Sequence, residues 1–217
     1  MDTVKTPENE PNKIVILFGA DGVGKTTQVK LLTNEYRRRG FKNVVCWLRG
    51  RHSLAYLLSK LLLFLGWPHV VYERDLSFMD SRKLSSKRLW SFIEFISLIP
   101  IILTRFYLPR LKGNVLIAER YVPATVVFNS FFIGEEFQPY SEILLRMIPP
   151  ESLLIHLDSC QDALFARREQ DWPKEFIEFQ LKKYRRLAKK LGAVSINTSV
   201  KSVLETHRII IAKCNLD

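Results

Sequence analysis

Cysteine is scarce in this chain: there are three in 217 residues, and they lie far apart. Cys46, Cys160 and Cys214 form no Cys-x-x-Cys pair, so the sequence indicates neither a disulfide framework nor a zinc site. Isolated thiols are typical of buried side chains in a reducing compartment. The polar segment 1–12 also lacks the apolar core of a signal peptide, so we expect a frayed N-terminal tail on a cytoplasmic protein.

Acidic residues are also few, with 22 Asp and Glu against 33 Lys and Arg, which gives a formal charge of +11. Such a balance suits a polyanionic ligand, a nucleic acid or an anionic membrane surface, and does not choose among them. The most basic run, 37–39, falls in the last turn of a predicted helix, where cations favour the helix dipole. We therefore expect a solvated helix end there and no nucleic-acid partner.

No apolar run in the chain is both long and uninterrupted. The run 54–67 is too short to span a bilayer and contains Lys60, and the run 89–108 contains Glu94, Pro100 and Arg105. We favour buried helices or a homodimer interface for both runs. Peripheral membrane contact is the second interpretation, and a true span is the third.

A strand followed by a glycine-rich loop is the most specific pattern in the chain. The run 14–18 is apolar and β-branched, which predicts a buried strand. Residues 19–26 then match G-x-x-x-x-G-K-[ST], the phosphate-binding loop. In such a loop the glycines turn backbone N–H groups towards anionic oxygens, Lys25 reaches the phosphates and the Thr26 hydroxyl ligates Mg²⁺. A chance match in an ordinary turn is the alternative.

Strands and helices alternate along the rest of the chain, which predicts an α/β fold with a doubly wound parallel five-stranded sheet. We expect one domain over residues 13–217 with a short lid and a phosphate-binding-loop NTPase fold. Residues 68–83 are mixed in composition and are expected to be rich in loops. The predicted strands are 14–18, 44–48, 115–118, 153–157 and 193–196. The predicted helices are 26–39, 121–132, 160–168, 174–191 and 202–213.

Charged side chains follow two of these strands. Arg49 and Arg51 come after the second strand, and Glu119 and Arg120 come after the third. Because ligands bind outside the carboxyl ends of strands in such sheets, these arginines could clamp a phosphate. Glu119 could hold a Mg²⁺-bound water or accept a proton from an attacking oxygen. The alternative is a set of ordinary surface charges.

The helix after Arg120 lies over the same predicted cleft. Thr125, Phe128 and Asn129 share one of its faces and could offer a polar edge and a stacking ring to a base. A packed core face with Asn129 satisfied locally is about equally plausible. Further along, Arg167 and Arg168 end a helix before a break at 169–173, which could act as a lid over a transferring phosphoryl group.

Two polar residues of the fourth strand have structural interpretations. Asp158 could be a second acidic residue near a metal, but a helix N-cap is the better prediction. His156 lies inside the strand, and no residue near it has the spacing of a metal ligand. We therefore expect His156 to be a core or sheet-face histidine.

Five segments in order resemble the thymidylate kinases, a family of nucleoside-monophosphate kinases. They are GADGVGKTTQ, the RGR after the second strand, ERY after the third, HLDSCQDALFARR after the fourth, and INTSVKSVLE. The resemblance covers about residues 13–212. It implies ATP and Mg²⁺ as cofactors and transfer of the γ-phosphate of ATP to dTMP.

The resemblance also implies roles for individual residues. The loop residues and Thr198 would bind ATP, Thr26 and Glu119 would hold Mg²⁺, and Arg120 would hold the acceptor phosphate. The implied ATP-binding set is Gly19, Ala20, Asp21, Gly22, Val23, Gly24, Lys25, Thr26, Thr27 and Thr198. The implied acceptor-binding set is Asp21, Arg49, Arg120, Thr125 and Asn129. The implied catalytic set is Lys25, Arg49, Glu119, Arg120, Arg167 and Arg168.

The chain departs from the family pattern at several places, among them Phe18, where the family often has an acidic residue, and the extra apolar length at 54–67. Glu119 stands where the family has Asp, and the region 95–103 lacks the arginine that contacts thymine. Two alternatives therefore stay open. One is a kinase for another phosphorylated metabolite or a lipid-like acceptor. The other is a catalytically weak, nucleotide-dependent binding protein.

Overall fold

The structure is a computed structural model, and it describes residues 11–48, 54–66, 70–73, 76–79, 87–134, 137–167 and 173–216. Its seven strands are β1 (Ile14–Phe18), β2 (Asn43–Trp47), β3 (Val70–Glu73), β4 (Leu76–Met79), β5 (Val115–Glu119), β6 (Leu153–Asp158) and β7 (Val194–Asn197). Its helices in the described residues are α1 (Lys25–Arg38), α2 (Leu54–Phe64), α3 (Lys87–Ile102), α4 (Leu108–Leu111), α5 (Tyr121–Phe132), α6 (Gln138–Arg146), α7 (Gln161–Arg167), α8 (Lys174–Lys190) and α9 (Val203–Lys213). A π-helical turn, Leu103–Tyr107, joins α3 to α4.

Five strands form one parallel sheet in the order β2-β5-β1-β6-β7, with helices on both faces. The predicted α/β architecture with a five-stranded parallel sheet is therefore confirmed. The central strand β1 is buried along its whole length, as its continuous apolar sequence predicts for a strand covered on both faces. The observed strand ends lie within one residue of the predicted ones. Because the sheet is parallel, the carboxyl ends of β1, β5, β6 and β7 lie along one edge.

The helices bury apolar stripes against this sheet and against one another. In α1 the buried residues include Val29, Leu32 and Tyr36, at the spacing of one helix face. Helix α1 packs against α9, and α5 packs against α8. Helix α9 begins with a capping box in which Ser202 and Glu205 satisfy each other's backbone N–H groups.

The segment predicted to be rich in loops contains a β-hairpin, so that prediction is wrong. Strands β3 and β4 pair antiparallel, with Val70 opposite Met79 and Glu73 opposite Leu76. Helix α6 was not predicted at all. It begins beside a proline, Pro139, and buries Leu144 and Leu145.

Residue 12, at the end of the predicted tail, is bonded to the body of the protein. The Asn12 backbone N–H donates to the Cys214 carbonyl oxygen at 3.0 Å. The Tyr36 hydroxyl donates to the Asn12 carbonyl oxygen at 2.6 Å. Residues 1–10 of the predicted tail lie outside the described residues.

Candidate functional site

The loop between β1 and α1 runs so close to β6 that glycine is required at its start. A Cβ atom on Gly19, whose φ is +147°, would lie 2.2 Å from the carbonyl oxygen of Leu157. Gly24 precedes α1 with φ +92°, a conformation that L side chains rarely adopt. Since α1 begins at Lys25, its first backbone N–H groups belong to this loop, and a helix N-terminus of this kind favours anions.

Lys25 is buried at the base of the loop, with 3% of its side chain exposed. Its Nζ donates to the Ala20 carbonyl oxygen at 2.5 Å and lies 3.9 Å from Asp21 Oδ1. A buried ammonium group is costly unless anions or acceptors surround it. The loop therefore holds one positive charge close to its own backbone, where the oxygens of an anionic ligand could approach.

Thr26 and Glu119 meet across the edge of the sheet. The Thr26 hydroxyl donates to Glu119 Oε1 at 2.7 Å, although 93 residues separate them. Glu119 ends β5, where it lies beside Leu17 of β1 and Trp47 of β2 and is 7% exposed. A hydroxyl and a carboxylate are oxygen ligands of the kind that Mg²⁺ prefers. The pair thus fits the metal role predicted for both residues.

Protein side chains alone do not complete a metal site there. Among the described residues, no three His, Cys, Asp or Glu side chains cluster closely enough to hold an ion. Mg²⁺ usually keeps several waters and takes one or two carboxylates together with substrate phosphates. The arrangement around Thr26 and Glu119 is therefore one in which a phosphate-bearing ligand would supply the remaining oxygens.

Arg120 and Asp21 form an ion pair beside this point. Arg120 Nη1 lies 2.6 Å from Asp21 Oδ1, and the two side chains are 17% and 16% exposed. Burial by itself would lower the pKa of Arg120, but the charges of Asp21, Tyr184 and Glu119 and the hydrogen bond to Asp21 raise it above its ordinary value. The guanidinium is therefore permanently charged and held next to the loop.

The backbone at Arg120 is strained. Its φ is +76° with ψ −56°, and the following residue, Tyr121, has φ +39°. Its N–H nevertheless donates to the Leu17 carbonyl oxygen at 2.9 Å, which ties the turn to β1. Non-glycine residues in such conformations are found disproportionately at ligand sites, because the surrounding structure has to hold them there.

Gln180 belongs to this site, although sequence reasoning did not select it. It lies on α8, is 5% exposed, and its Oε1 accepts a hydrogen bond from the Asp21 backbone N–H at 3.1 Å. The signal was present in the sequence: an amide side chain falls within the apolar stripe of Phe176, Leu181 and Tyr184. A buried polar residue among apolar neighbours requires a partner, and here the partner is the loop.

Helix α5 contains a buried amide group that has no hydrogen-bond partner among the described residues. Asn129 is 4% exposed, and no described residue bonds to its Nδ2. Local satisfaction of its amide, one of the two open interpretations, therefore does not account for it. Thr125 is half-buried on the same helix. Phe128 instead packs against Phe132, with ring centroids 4.6 Å apart, so it belongs to an aromatic cluster.

Thr198 and Asp158 brace the far end of the same sheet edge. The Thr198 N–H and hydroxyl both donate to the Asp158 carbonyl oxygen, at 2.8 Å and 3.0 Å. The Asp158 carboxylate accepts from the Arg185 Nε at 2.8 Å and from the Ser159 backbone N–H at 2.9 Å. Because α7 begins only at Gln161, the prediction that Asp158 caps this helix is wrong.

His156 has the structural role expected of it. It is 1% exposed, its ring stacks on Phe18 with centroids 5.4 Å apart, and its Nδ1 lies 3.1 Å from Ser195 Oγ.

Three other arginines were predicted to belong to the site. Arg49 and Arg168 lie outside the described residues, and Arg167 is described only as the last residue of α7.

Compared with models of known protein families and with curated proteins, the chain matches none of either. The case for a function therefore depends on the arrangement of its own residues. That arrangement brings Asp21, Lys25, Thr26, Glu119 and Arg120 together at one edge of the sheet, with Gln180 added from α8. The Asp158 carboxylate pairs with Arg185 of α8.

Proposed function

We propose that this protein is a phosphate-binding-loop kinase that transfers a phosphoryl group from ATP to a nucleoside monophosphate, with dTMP as the first acceptor to test. The observation that carries the proposal is the Thr26–Glu119 hydrogen bond, 2.7 Å long, beside the buried ammonium of Lys25. It joins the loop to the end of β5, as a site for phosphates and a divalent cation requires. The resemblance to thymidylate kinases supplies the acceptor.

The donor side of the proposed site consists of the loop and the start of α1. Backbone N–H groups of residues 19–26 surround the phosphates, and Lys25 neutralises their charge. Thr26 and Glu119 would hold Mg²⁺, which would supply further charge neutralisation. Thr27 and Thr198 are the outer members of the proposed ATP-binding set, and Thr198 lies farther along the sheet edge.

The acceptor side consists of Arg120, Asp21 and α5. Arg120 binds the acceptor phosphate and exchanges part of its pairing with Asp21 for the ligand's oxygens. Asp21 then accepts a hydrogen bond from the sugar hydroxyl. Asn129, with its unpaired Nδ2, and Thr125 face the base. The buried amide supports this assignment, since a polar ligand atom is what it lacks.

The proposed chemistry asks for position and charge more than for a base. A phosphate oxygen of the acceptor is already a nucleophile, so no side chain has to remove a proton from it. The arginines Arg49, Arg167 and Arg168 complete the proposal by stabilising the charge on the transferring group. Holding donor and acceptor in line within a site that excludes water supplies the rest of the acceleration.

The test measures ADP release with ATP and Mg²⁺ against a panel of nucleoside monophosphates that includes dTMP. We expect selective release with one of them and a loss of about a thousandfold or more in kcat for Lys25→Ala, because a buried phosphate-binding charge is removed. Lys30→Ala changes an exposed lysine of the same helix and should turn over normally. ATP binding without release for any member would count against the kinase assignment.

One observation favours a second acceptor class. Apolar side chains lie exposed along α2, α3 and α4. Binding of a water-soluble nucleotide does not require such apolar surface. A phosphorylated, lipid-like acceptor would be the alternative substrate for the same donor site. Including a phosphorylated isoprenoid alcohol in detergent in the same ADP-release panel separates the two acceptors directly.

A further inference from the structure

Helices α3 and α4 expose a continuous line of apolar side chains, here called the α3–α4 stripe. The exposed fraction of its members ranges from 42% for Ile96 to 82% for Leu111. Single exposed apolar residues are common, but a contiguous set marks a surface that another apolar body covers. The members are Leu89, Phe92, Ile96, Leu103, Leu108 and Leu111.

The π-helical turn keeps this stripe straight. From Leu89 to Leu103 the members are three, four and seven residues apart, which keeps them on one helix face. A π turn accommodates one extra residue, and this returns Leu108 and Leu111 to the face that an unbroken α-helix would have left. The stripe is therefore continuous over a length of about 35 Å at 1.5 Å per residue.

The opposite face of the same helix is part of the protein core. Trp90, Leu98, Ile102 and Phe106 are exposed by 5%, 2%, 1% and 0%. The segment Lys87–Leu111 is long and apolar enough to cross a membrane by length and composition alone. A crossing would pull these four side chains out of the core, whereas a helix lying flat on a bilayer keeps both faces satisfied.

Helix α2 adds a second apolar line and packs against α3. Leu57, Leu61, Phe64 and Leu65 are 61%, 52%, 87% and 66% exposed. Their spacing of four, three and one residues keeps them on one side of the helix. The two exposed apolar lines therefore lie on neighbouring helices.

The part of the sequence that carries this surface is rich in positive charge. Residues 49–112 contain eleven Lys and Arg against four Asp and Glu, so most of the +11 net charge lies in this part of the sequence. On α3, the π-helical turn, α4 and the next residue, the cations are Lys87, Arg88, Arg105, Arg110 and Lys112. Arg110 pairs with Glu151 of another element. Burial raises the pKa of Glu94, the single acid of α3, to about 7, so at pH 7 it offsets less than one full positive charge.

This charge pattern distinguishes a lipid surface from a second copy of the chain. In a twofold dimer the same patch meets itself, so cations at both ends of the stripe would face cations. An anionic bilayer instead attracts Lys and Arg beside an apolar helix face. We propose that the α3–α4 stripe and the exposed line of α2 dock this protein on an anionic membrane surface, with α3 lying parallel to the bilayer.

Flotation of the purified full chain with lipid vesicles tests this proposal. Vesicles of phosphatidylcholine alone are compared with vesicles that contain about 30 mol% phosphatidylglycerol, at about 0.1 M and 0.5 M salt. We expect the partition coefficient to be about tenfold or more higher on the anionic vesicles at low salt, and to fall at high salt. Equal partition into both vesicles, or into neither, would overturn the proposal.

A charge placed in the stripe gives the matched variant. Leu103→Glu should lower the partition coefficient about tenfold, because an apolar side chain is replaced by a repelled carboxylate. Leu204→Glu makes the same change on α9, at a residue 64% exposed, and should leave partition unchanged. If Leu103→Glu fails to fold, Leu89→Glu, at a residue 59% exposed, replaces it.

Light scattering on the same samples measures the oligomeric state. This distinguishes a membrane from a second copy of the chain as the body that covers the stripe. The wild type could be a stable dimer that does not bind vesicles, with Leu103→Glu a monomer. This result would overturn the membrane proposal and support the homodimer predicted from the sequence. A monomer that binds anionic vesicles supports the membrane proposal. Binding by both Leu103→Glu and Leu204→Glu at the wild-type level would show that the stripe is not the docking surface.

Discussion

Acid should destabilise this protein through one histidine in its sheet. Burial lowers the pKa of His156 from 6.5 to about 4, against the opposing effect of Asp158, while Arg185 and Lys25 lower it further. Its ring is 1% exposed and stacks on Phe18, so the folded state has no room to solvate an imidazolium ion. The side chain is therefore neutral in the folded protein at pH 7.

The sign and size of the effect follow from the two pKa values. Well above pH 6.5 neither state binds a proton at this residue, so His156 then takes nothing from the stability of the fold. Between pH 6.5 and pH 4 the unfolded chain binds the proton and the folded chain does not, so stability falls as pH falls. At pH 5 the loss is about 2 kcal/mol, from about 1.4 kcal/mol for each pH unit below 6.5.

Urea unfolding at about pH 7.5 and about pH 5 measures this loss for the wild type and for His156→Phe. The phenylalanine keeps an aromatic ring beside Phe18 but cannot take up a proton, and the exposed Ser195 can bond to water instead. We expect the wild type to lose about 2 kcal/mol more than the variant over this interval. An equal loss in both would refute the assignment, because other acids would then account for it.

Three further predictions concern the site. Gln180→Ala leaves the Asp21 N–H without its acceptor, so we expect urea unfolding to report a loss of about 1–3 kcal/mol in stability and kinetics to report a raised KM for ATP. Glu119→Gln retains an oxygen for the Thr26 hydroxyl but removes a charge; thermal unfolding should change little, while the Mg²⁺ concentration for half-maximal turnover rises about tenfold or more. Arg120→Lys loses the fork geometry of its pair with Asp21, and kinetics should show a KM for the acceptor that rises about tenfold while the KM for ATP stays within about twofold.

The sheet could be predicted because short local sequence patterns specify its strands. Continuous apolar runs such as 14–18 specify strands that are buried on both faces, and the helices between them leave only parallel pairing. The hairpin of β3 and β4 was missed because the two residues between these strands in the sequence are Arg and Asp, and neither is the glycine or asparagine that marks a tight hairpin. Helix α6 was missed because a buried Ser141 interrupts its short apolar face.

Only those residues of the site that belong to the loop motif or lie at a strand end could be predicted from the sequence. The sequence predicts the ends of β1 and β5 correctly. Because parallel strands end at the same edge of a sheet, the residues at or after these ends meet there, and they are Lys25, Thr26, Glu119 and Arg120. The role of Asp158 was not legible, since its partner Arg185 lies 27 residues away on α8. A local cap looked simpler than a pair made through the tertiary fold.

The donor site and the apolar stripe use different residues, so the two proposals can fail separately. Leu103→Glu changes a side chain that belongs to the stripe, and it should therefore leave ADP release within about twofold of the wild type in the absence of lipid. Lys25→Ala should bind anionic vesicles at the wild-type level, because Lys25 is 3% exposed and contributes no charge to the outer surface. If Leu103→Glu instead lost turnover without lipid, the apolar helices would be part of the acceptor site, and a lipid-like acceptor would become the leading candidate. Measuring both variants in both assays therefore decides whether the proposed membrane surface would locate the proposed kinase or would supply its substrate.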